Sequence, residues 1–319
     1  MEERQHELLA MVASMYYEQD MTQNAIAEEL GISRVKVYRL LKQAKEEKIV
    51  QIAIDRPVKR DKQHEDAVRE TFALKEALVL RTTGEYDSQA LQRLGKLSAR
   101  YLEQLLQGSL TMAICLGRAT YEVIAAIRPD LQMNVQVAQA VGSVPNTLYE
   151  HDSSTLARQL AQKLGGEAIY LSSPAMVDSP EAARVIRNQS QIRRTLTVAR
   201  GAEVALIGIG NLDSTTSGFV KAGFLTSEEL EQLRAQGAVG DIAWQIFTID
   251  GQVYPCEWNQ RVIGLTLDEL RQIPTTIAVA MGLEKVAAIL GGLRTGVINV
   301  LCTDDRTASK VLELNRTTQ

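Results

Sequence analysis

From residue 77 onward, short apolar runs alternate with stretches of helical periodicity, and this alternation restricts the fold more than any other feature of the sequence. The runs are ALVLR, LTMAICL, MNVQVAQAV, EAIYL, EVALIGIG, TTIAVA and VINVLC. Between them, helical patterns are predicted over residues 87–107, 118–127 and 154–164, twice between 180 and 199, then over 227–236 and 283–293, with a last helix at the end. Apolar runs too short to be helices, each followed by a helix, are the pattern of parallel strands with crossover helices on both faces. A doubly wound α/β domain over residues 72–319 is therefore expected, and no solenoid-length repeat or low-complexity tract interrupts it.

The first 56 residues read differently. Leu8, Leu9, Val12, Met15 and Tyr16 form the stripe of an amphipathic helix. A second helix is predicted over 22–30, with Thr22 as its cap and Ile26 and Leu30 inward, and Gly31 stops it. Ser33 caps a third, SRVKVYRLLKQAKEEK, with Val37, Leu40 and Leu41 inward. Two short helices meeting at a glycine turn, with the small Ala27 at their crossing, make a helix-turn-helix over residues 23–42. The net charge of −4 means that any nucleic-acid surface must be local. It is local: between residues 34 and 48, Arg34, Lys36, Arg39, Lys42, Lys45 and Lys48 face only Glu46 and Glu47. Such a bias suits phosphate contacts that release counterions. In this motif the second helix enters the major groove, so Ser33, Arg34, Val35, Tyr38 and Arg39 are the predicted readers, with Gln23, Lys36 and Lys42 completing the DNA-binding set. Arg34 or Arg39 could grip guanine O6 and N7, or hold a phosphate instead. The run IVQIAID is predicted to be the strand of a wing, giving a winged helix-turn-helix domain over 1–56. Residues 57–71 are charged enough to be an exposed linker helix.

In doubly wound sheets, ligands bind beyond the carboxyl ends of the strands. Four segments there have the right chemistry. Gly208 and Gly210 end a strand and precede Ser214, Thr215, Thr216 and Ser217, where glycine admits an anion close to the backbone and hydroxyls can donate to it. The bare GxG also reads as a plain turn, and without GxGxxG no dinucleotide cofactor is expected. Gly142, Ser143 and Asn146 form a second possible phosphate cradle. Arg118 opens a helix after Gly117, and Lys285 sits in the first turn of another, against the dipole preference unless an anion compensates it. Cys115, Cys256 and Cys302 lie far apart with no CxxC spacing, so they are expected as reduced, mostly buried thiols and no metal is expected.

These residues in this order resemble the SorC family of bacterial sugar-responsive regulators, the sugar-binding DeoR type. The resemblance runs through MYYEQDMTQNAIAEELGISRVKVYRLLKQA, GAVGDIAWQIFTIDGQ, RVIGLTLDELRQIP and EKVAAILGGLRTGVINVLCTDDRTA, nearly the whole chain. It implies a sugar-phosphate isomerase-like effector domain, double-stranded operator DNA and a phosphorylated sugar or polyol as partners, and a homotetramer. It also implies effector roles for Gly142, Ser143, Asp241 and Lys285. This chain departs from the family pattern with GSVPN at the glycine-rich turn, Leu116 in place of a common tryptophan, and Val141 where some members carry a Schiff-base lysine.

The rival reading is a sugar-phosphate isomerase or deaminase fused to a DNA-binding module, with Asp241 or Asp213 as base. Its histidines do not help: His6 and His64 lie outside the predicted large-domain core, and His151 is expected in a solvent-facing loop. No apolar run approaches the ~20 residues of a membrane span, and MEERQHELL is charged where a signal peptide would be apolar, so the expectation is a cytoplasmic, non-enzymatic regulator.

Overall fold

Two hydroxyl caps and one left-handed glycine shape the N-terminal unit, Met1–Pro57. Its helices are α1 (Glu2–Tyr17), α2 (Gln23–Glu29) and α3 (Arg34–Glu46). Thr22 Oγ1 accepts the Ala25 N–H, and Ser33 Oγ accepts the Lys36 N–H, each at 3.2 Å. Between α2 and α3, Gly31 has φ +63°, a conformation open to glycine without strain. Leu9, Val12, Met15, Ile26, Ala27, Val37, Leu40 and Leu41 share one core, as the helical stripes require. Ser33→Ala leaves the Lys36 N–H without its cap and is expected to cost this unit about 1 kcal/mol, read as a lowered urea midpoint.

The computed structural model describes residues 2–50, 57–82, 89–106, 108–129, 133–144 and 150–318. The wing strand predicted over 49–55 therefore falls almost wholly outside the described residues.

In the second unit, Val58–Gln319, the elements run α4 (Lys62–Thr71), β1 (Glu76–Leu80), α5 (Ala90–Leu105), β2 (Ser109–Ile114), α6 (Arg118–Ala126), β3 (Asn134–Gln139), α7 (Ser153–Leu164) and β4 (Glu167–Ile169). There follow α8 (Pro180–Arg187), α9 (Ser190–Arg200), β5 (Val204–Gly208), β6 (Gly210–Asn211), α10 (Gly218–Lys221), α11 (Ser227–Ala235), β7 (Ala238–Ile242) and β8 (Gln245–Thr248). The last are α12 (Glu257–Arg261), α13 (Leu267–Arg271), β9 (Thr275–Val279), a 3₁₀ turn (Leu283–Lys285), α14 (Val286–Arg294), β10 (Val300–Asp304) and α15 (Asp305–Thr317).

All seven predicted runs supply strands of one parallel sheet, ordered β1-β10-β9-β5-β2-β3-β4. Alternate strand residues feed separate cores: Ala113, Ala205, Ile207 and Ala278 on one side, Met112, Ile114, Leu206 and Ile277 on the other. Both faces are covered, which is why these strands read as continuous apolar runs rather than alternating ones. Chain order runs outward through β2, β3 and β4, then returns to β5 on the other side of β2. The topological switch, and hence the ligand crevice, lies between the carboxyl ends of β2 and β5.

Two expectations need correction. The charged segment after Pro57 is no exposed linker: Asp61 N–H donates to Val79 O and Arg81 N–H to Lys59 O, each at 2.8 Å, pairing the segment with β1. In α4, Val68 is fully buried, and buried Glu65 accepts from Arg60 Nε at 2.5 Å and the Val79 N–H at 3.1 Å. The run EVALIGIG is also not one strand. It breaks at Ile209, and Gly210–Asn211 starts a separate antiparallel sheet, β6-β7-β8.

Candidate functional site

On the N-terminal unit, Arg34, Val35, Tyr38, Arg39 and Lys42 follow one another at helical spacing and are all exposed. Val35 is 59% and Tyr38 58% exposed, large side chains left on a polar face. Lys42 pairs only loosely with Glu46, at 3.7 Å with both side chains mostly in solvent, a contact of little energetic weight. Ser33 and Lys36 are exposed, and the Ser33 hydroxyl keeps its own proton free while its oxygen caps α3. Gln23 is the first residue of α2, and with Arg34 it lines a hollow of about 590 Å³ beside Tyr16, Tyr17 and Asp20. Tyr16 and Tyr17 meet edge to face at 4.9 Å, and Lys45 lies over the Tyr17 ring at 5.7 Å.

At the switch point, Gly117 has φ +133° and donates its N–H to the His151 carbonyl at 3.0 Å, and Arg118 begins α6 with its side chain exposed. Gly208 lies across from this turn, so that a Cβ there would come 3.9 Å from Thr120 Oγ1, a buried hydroxyl without a hydrogen-bond partner. Beside it, Gly210 packs on Asp241 so closely that a Cβ would stand 1.9 Å from Oδ1. The other carboxylate oxygen of Asp241 accepts the Trp244 N–H at 3.1 Å. Lys285 closes the 3₁₀ turn and caps α14, rather than lying within a helix, and it is not solvated: Nζ donates to Ile209 O at 2.7 Å.

Burial pushes the Asp241 carboxyl up to about 6 from the ordinary 3.8, against the opposing pull of the Trp244 N–H and Lys285. Burial also lowers Lys285, and Asp241 and Glu284 resist that shift. Because folding favours the protonated acid, Asp241 costs stability as pH rises through the window from about 4 to about 6, and the cost persists above it. Asp241→Asn is accordingly expected to gain on the wild type by about 2 to 3 kcal/mol between pH 4 and pH 7, measured by urea denaturation at both pH values.

Ser143 belongs to a cavity of about 780 Å³ that no single segment announced. Gln139, Ser154, Ser172 and Ser173 line it with polar groups, and Tyr170, Met176 and Phe224 with an apolar wall. Gly142 is buried behind Ser143, and Asn146 lies outside the described residues. Phe224 leads back to the acid: it meets Trp244 edge to face at 5.2 Å, with Phe219 at 4.8 Å on the same indole. Trp244 holds a left-handed φ of +65° after Ala243 at +53°, and its buried Nε1 has no hydrogen-bond partner.

Other expected donors are committed elsewhere. The hydroxyls of Thr215 and Thr216 turn back on Asp213 Oδ1, and Ser217 caps α10. His151 is half-buried against Tyr121 at 5.2 Å instead of facing solvent, and burial lowers its pKa. His64 lies within the large unit, its Nδ1 3.3 Å from Asp61. Burial drives the thiols of Cys115 and Cys302 up to about 12, so neither is a nucleophile. Among the described residues, no helix is long and apolar enough to cross a membrane, and no three His, Cys, Asp or Glu side chains gather as a metal site.

An α/β unit with its ligand crevice at the switch point, carried beside a helix-turn-helix, defines a class of ligand-responsive DNA-binding proteins. Residues 56–313 match the family model of a sugar-binding domain. The sorbitol operon regulator of Klebsiella pneumoniae is 30% identical over 308 residues, spanning 96% of this chain and 98% of that one. The deoxyribonucleoside regulator of Bacillus subtilis is 29% identical, spanning 97% and 98%. The crystal structure of the full-length Klebsiella sorbitol operon regulator SorC superposes with a TM-score of 0.73, at 30% identity, covering 96% of this chain and 99% of that one. The chain belongs to this family, the SorC transcriptional regulators with a sugar-binding domain.

Proposed function

We propose that the protein controls a carbohydrate-utilisation operon by binding operator DNA through its helix-turn-helix, and that a phosphorylated sugar or polyol bound in the large unit changes that binding. One observation carries the effector half of this reading: Asp241 and Lys285, an acid and a cation, are both withdrawn from water at the carboxyl ends of the central strands. A buried pair of this kind adds little to stability in itself. It makes sense as a site kept for a ligand, with Lys285, Arg118 and the turns at Gly142–Ser143 and Gly208–Gly210 toward phosphate and Asp241 toward sugar hydroxyls. On the DNA side, Arg34, Val35, Tyr38 and Arg39 reach base edges, while Gln23, Ser33, Lys36 and Lys42 hold the backbone. The protein acts in the cytoplasm as a homotetramer and turns over no substrate.

A salt-titrated mobility shift on DNA upstream of the chain's own operon, with and without sugar phosphates, tests this. Specific binding that one sugar phosphate alters is the expected result. Linkage then requires that sugar to bind the DNA complex with correspondingly altered affinity, by about 1 to 3 kcal/mol. Binding to no DNA even at low salt, together with product formation from a sugar phosphate, overturns the reading in favour of an enzyme.

A further inference from the structure

The charged crevice and the cavity at Ser143 differ in chemistry. None of the cavity's lining residues is charged; its polar groups are the amide of Gln139 and the hydroxyls of Ser143, Ser154, Ser172 and Ser173. Residues 145–149, which follow the lining residue Val144, are Pro, Asn, Thr, Leu and Tyr, so the sequence brings no cation there either. One feature at its edge would ordinarily welcome an anion: the N-terminus of α7, where Ser154 is the second residue. That position is already filled. The Asp152 carboxylate accepts the Ser154 N–H at 3.0 Å and the Val144 N–H at 2.9 Å, and the Ser154 hydroxyl also donates to it. Asp152 is itself buried. A phosphate entering this cavity would meet no cation and would find the helix terminus holding a negative charge.

The two regions are joined by chain. His151, whose carbonyl accepts the Gly117 N–H beside Arg118, stands three residues before Ser154 on the cavity wall. We infer that the protein answers to a sugar monophosphate and rejects the corresponding bisphosphate, with the phosphate in the charged crevice and the uncharged end of the sugar in the neutral cavity that Asp152 guards. This rests on the phosphosugar reading above and goes further by naming the class. A second phosphate placed there gives up its hydration without gaining a counter-charge, a costly exchange, and the hydroxyl-lined cavity offers what a polyol end needs.

The test is isothermal titration calorimetry of the full-length protein with matched pairs: fructose 6-phosphate and fructose 1,6-bisphosphate, glucose 6-phosphate and glucose 1,6-bisphosphate, ribulose 5-phosphate and ribulose 1,5-bisphosphate, sorbitol 6-phosphate and sorbitol 1,6-bisphosphate. For any pair whose monophosphate binds, the bisphosphate is expected to bind about 30-fold more weakly or worse. A bisphosphate that binds equally well or better overturns the inference and leaves the phosphosugar reading standing. If no member of any pair binds, that reading falls and the inference falls with it. Asp152→Asn keeps a good N-cap while removing the charge, and is expected to narrow the gap between mono- and bisphosphate about fivefold or more. An unchanged ratio counts against Asp152 as the guard. Should that variant fail to fold, Ser172→Arg, at an exposed position on the rim, is expected to shift the same ratio toward the bisphosphate, and an unshifted ratio overturns the neutral-cavity argument.

Discussion

Replacing Lys285 with methionine is expected to raise the sugar-phosphate concentration needed for a half-maximal response by about 100-fold or more, while operator affinity without the sugar stays within about twofold. The first figure follows from what the ammonium does. Its Nζ sits 2.7 Å from the Ile209 carbonyl, beside the buried Asp241. Deleting one member of a buried charge pair leaves the other uncompensated, typically at a cost of about 3 to 5 kcal/mol. Here the same deletion also removes the phosphate's partner. The second figure follows from the division of the chain: the exposed arginines and tyrosine of α3 belong to Met1–Pro57, whose core shares no residue with that of Val58–Gln319. The destabilisation should itself depend on pH. With Asp241 pushed up to about 6, the variant loses stability at pH 7, where the acid is ionised and needs a cation, and much less at pH 5, where it is mostly protonated. Operator anisotropy with and without the sugar separates the two effects. An unchanged sugar response in the variant removes Lys285 from the site.

What the sequence disclosed and what it hid divide along a physical line. The seven parallel strands were legible because burial on both faces leaves nothing polar to blur an apolar run. The helix-turn-helix was legible because caps and a left-handed glycine are local devices, and Thr22, Ser33 and Gly31 each act within four residues of themselves. The β7–β8 hairpin was not, since its turn places Ala243 and Trp244 at positive φ, where local preference would call for Asn-Gly. Tertiary packing of the indole between Phe219 and Phe224 holds it there. The cavity could not be read either. Its wall comes from residues 139–144, 154, 170–176 and 224, segments brought together only by the order of β3, β4 and the helices that follow. Likewise, nothing in the GNLDSTTS run shows that Asp213 would capture the hydroxyls of Thr215 and Thr216. In α4 the abundance of charge concealed a buried glutamate with its own arginine and backbone partners.

Gly142→Ala is expected to lower the stability of the large unit by about 3 to 5 kcal/mol and its melting temperature by roughly 6 to 15 °C. The glycine is needed here for space: a Cβ would lie 2.3 Å from Pro174 O and 2.6 Å from Ser173 O. Those are backbone atoms, and they are pinned. Ser143 N–H donates to Ser173 O at 2.9 Å, Ala175 N–H to Ser143 O at 2.7 Å, and Gly142 N–H to Ile263 O at 2.8 Å. The strand end can make room only by breaking the bonds that hold two walls of the cavity together, so overpacking and lost hydrogen bonds add. Gly201 supplies the control, because its φ is −83° and the nearest atom to an added Cβ is 3.4 Å away. Gly201→Ala should cost little, or gain a few tenths of a kcal/mol through the stiffer unfolded chain. Calorimetric melting of the two variants beside the wild type decides the matter. A Gly142→Ala protein that melts with Gly201→Ala would mean that the Ser173–Ala175 segment yields freely, and that the cavity wall is not the rigid support on which its selectivity depends.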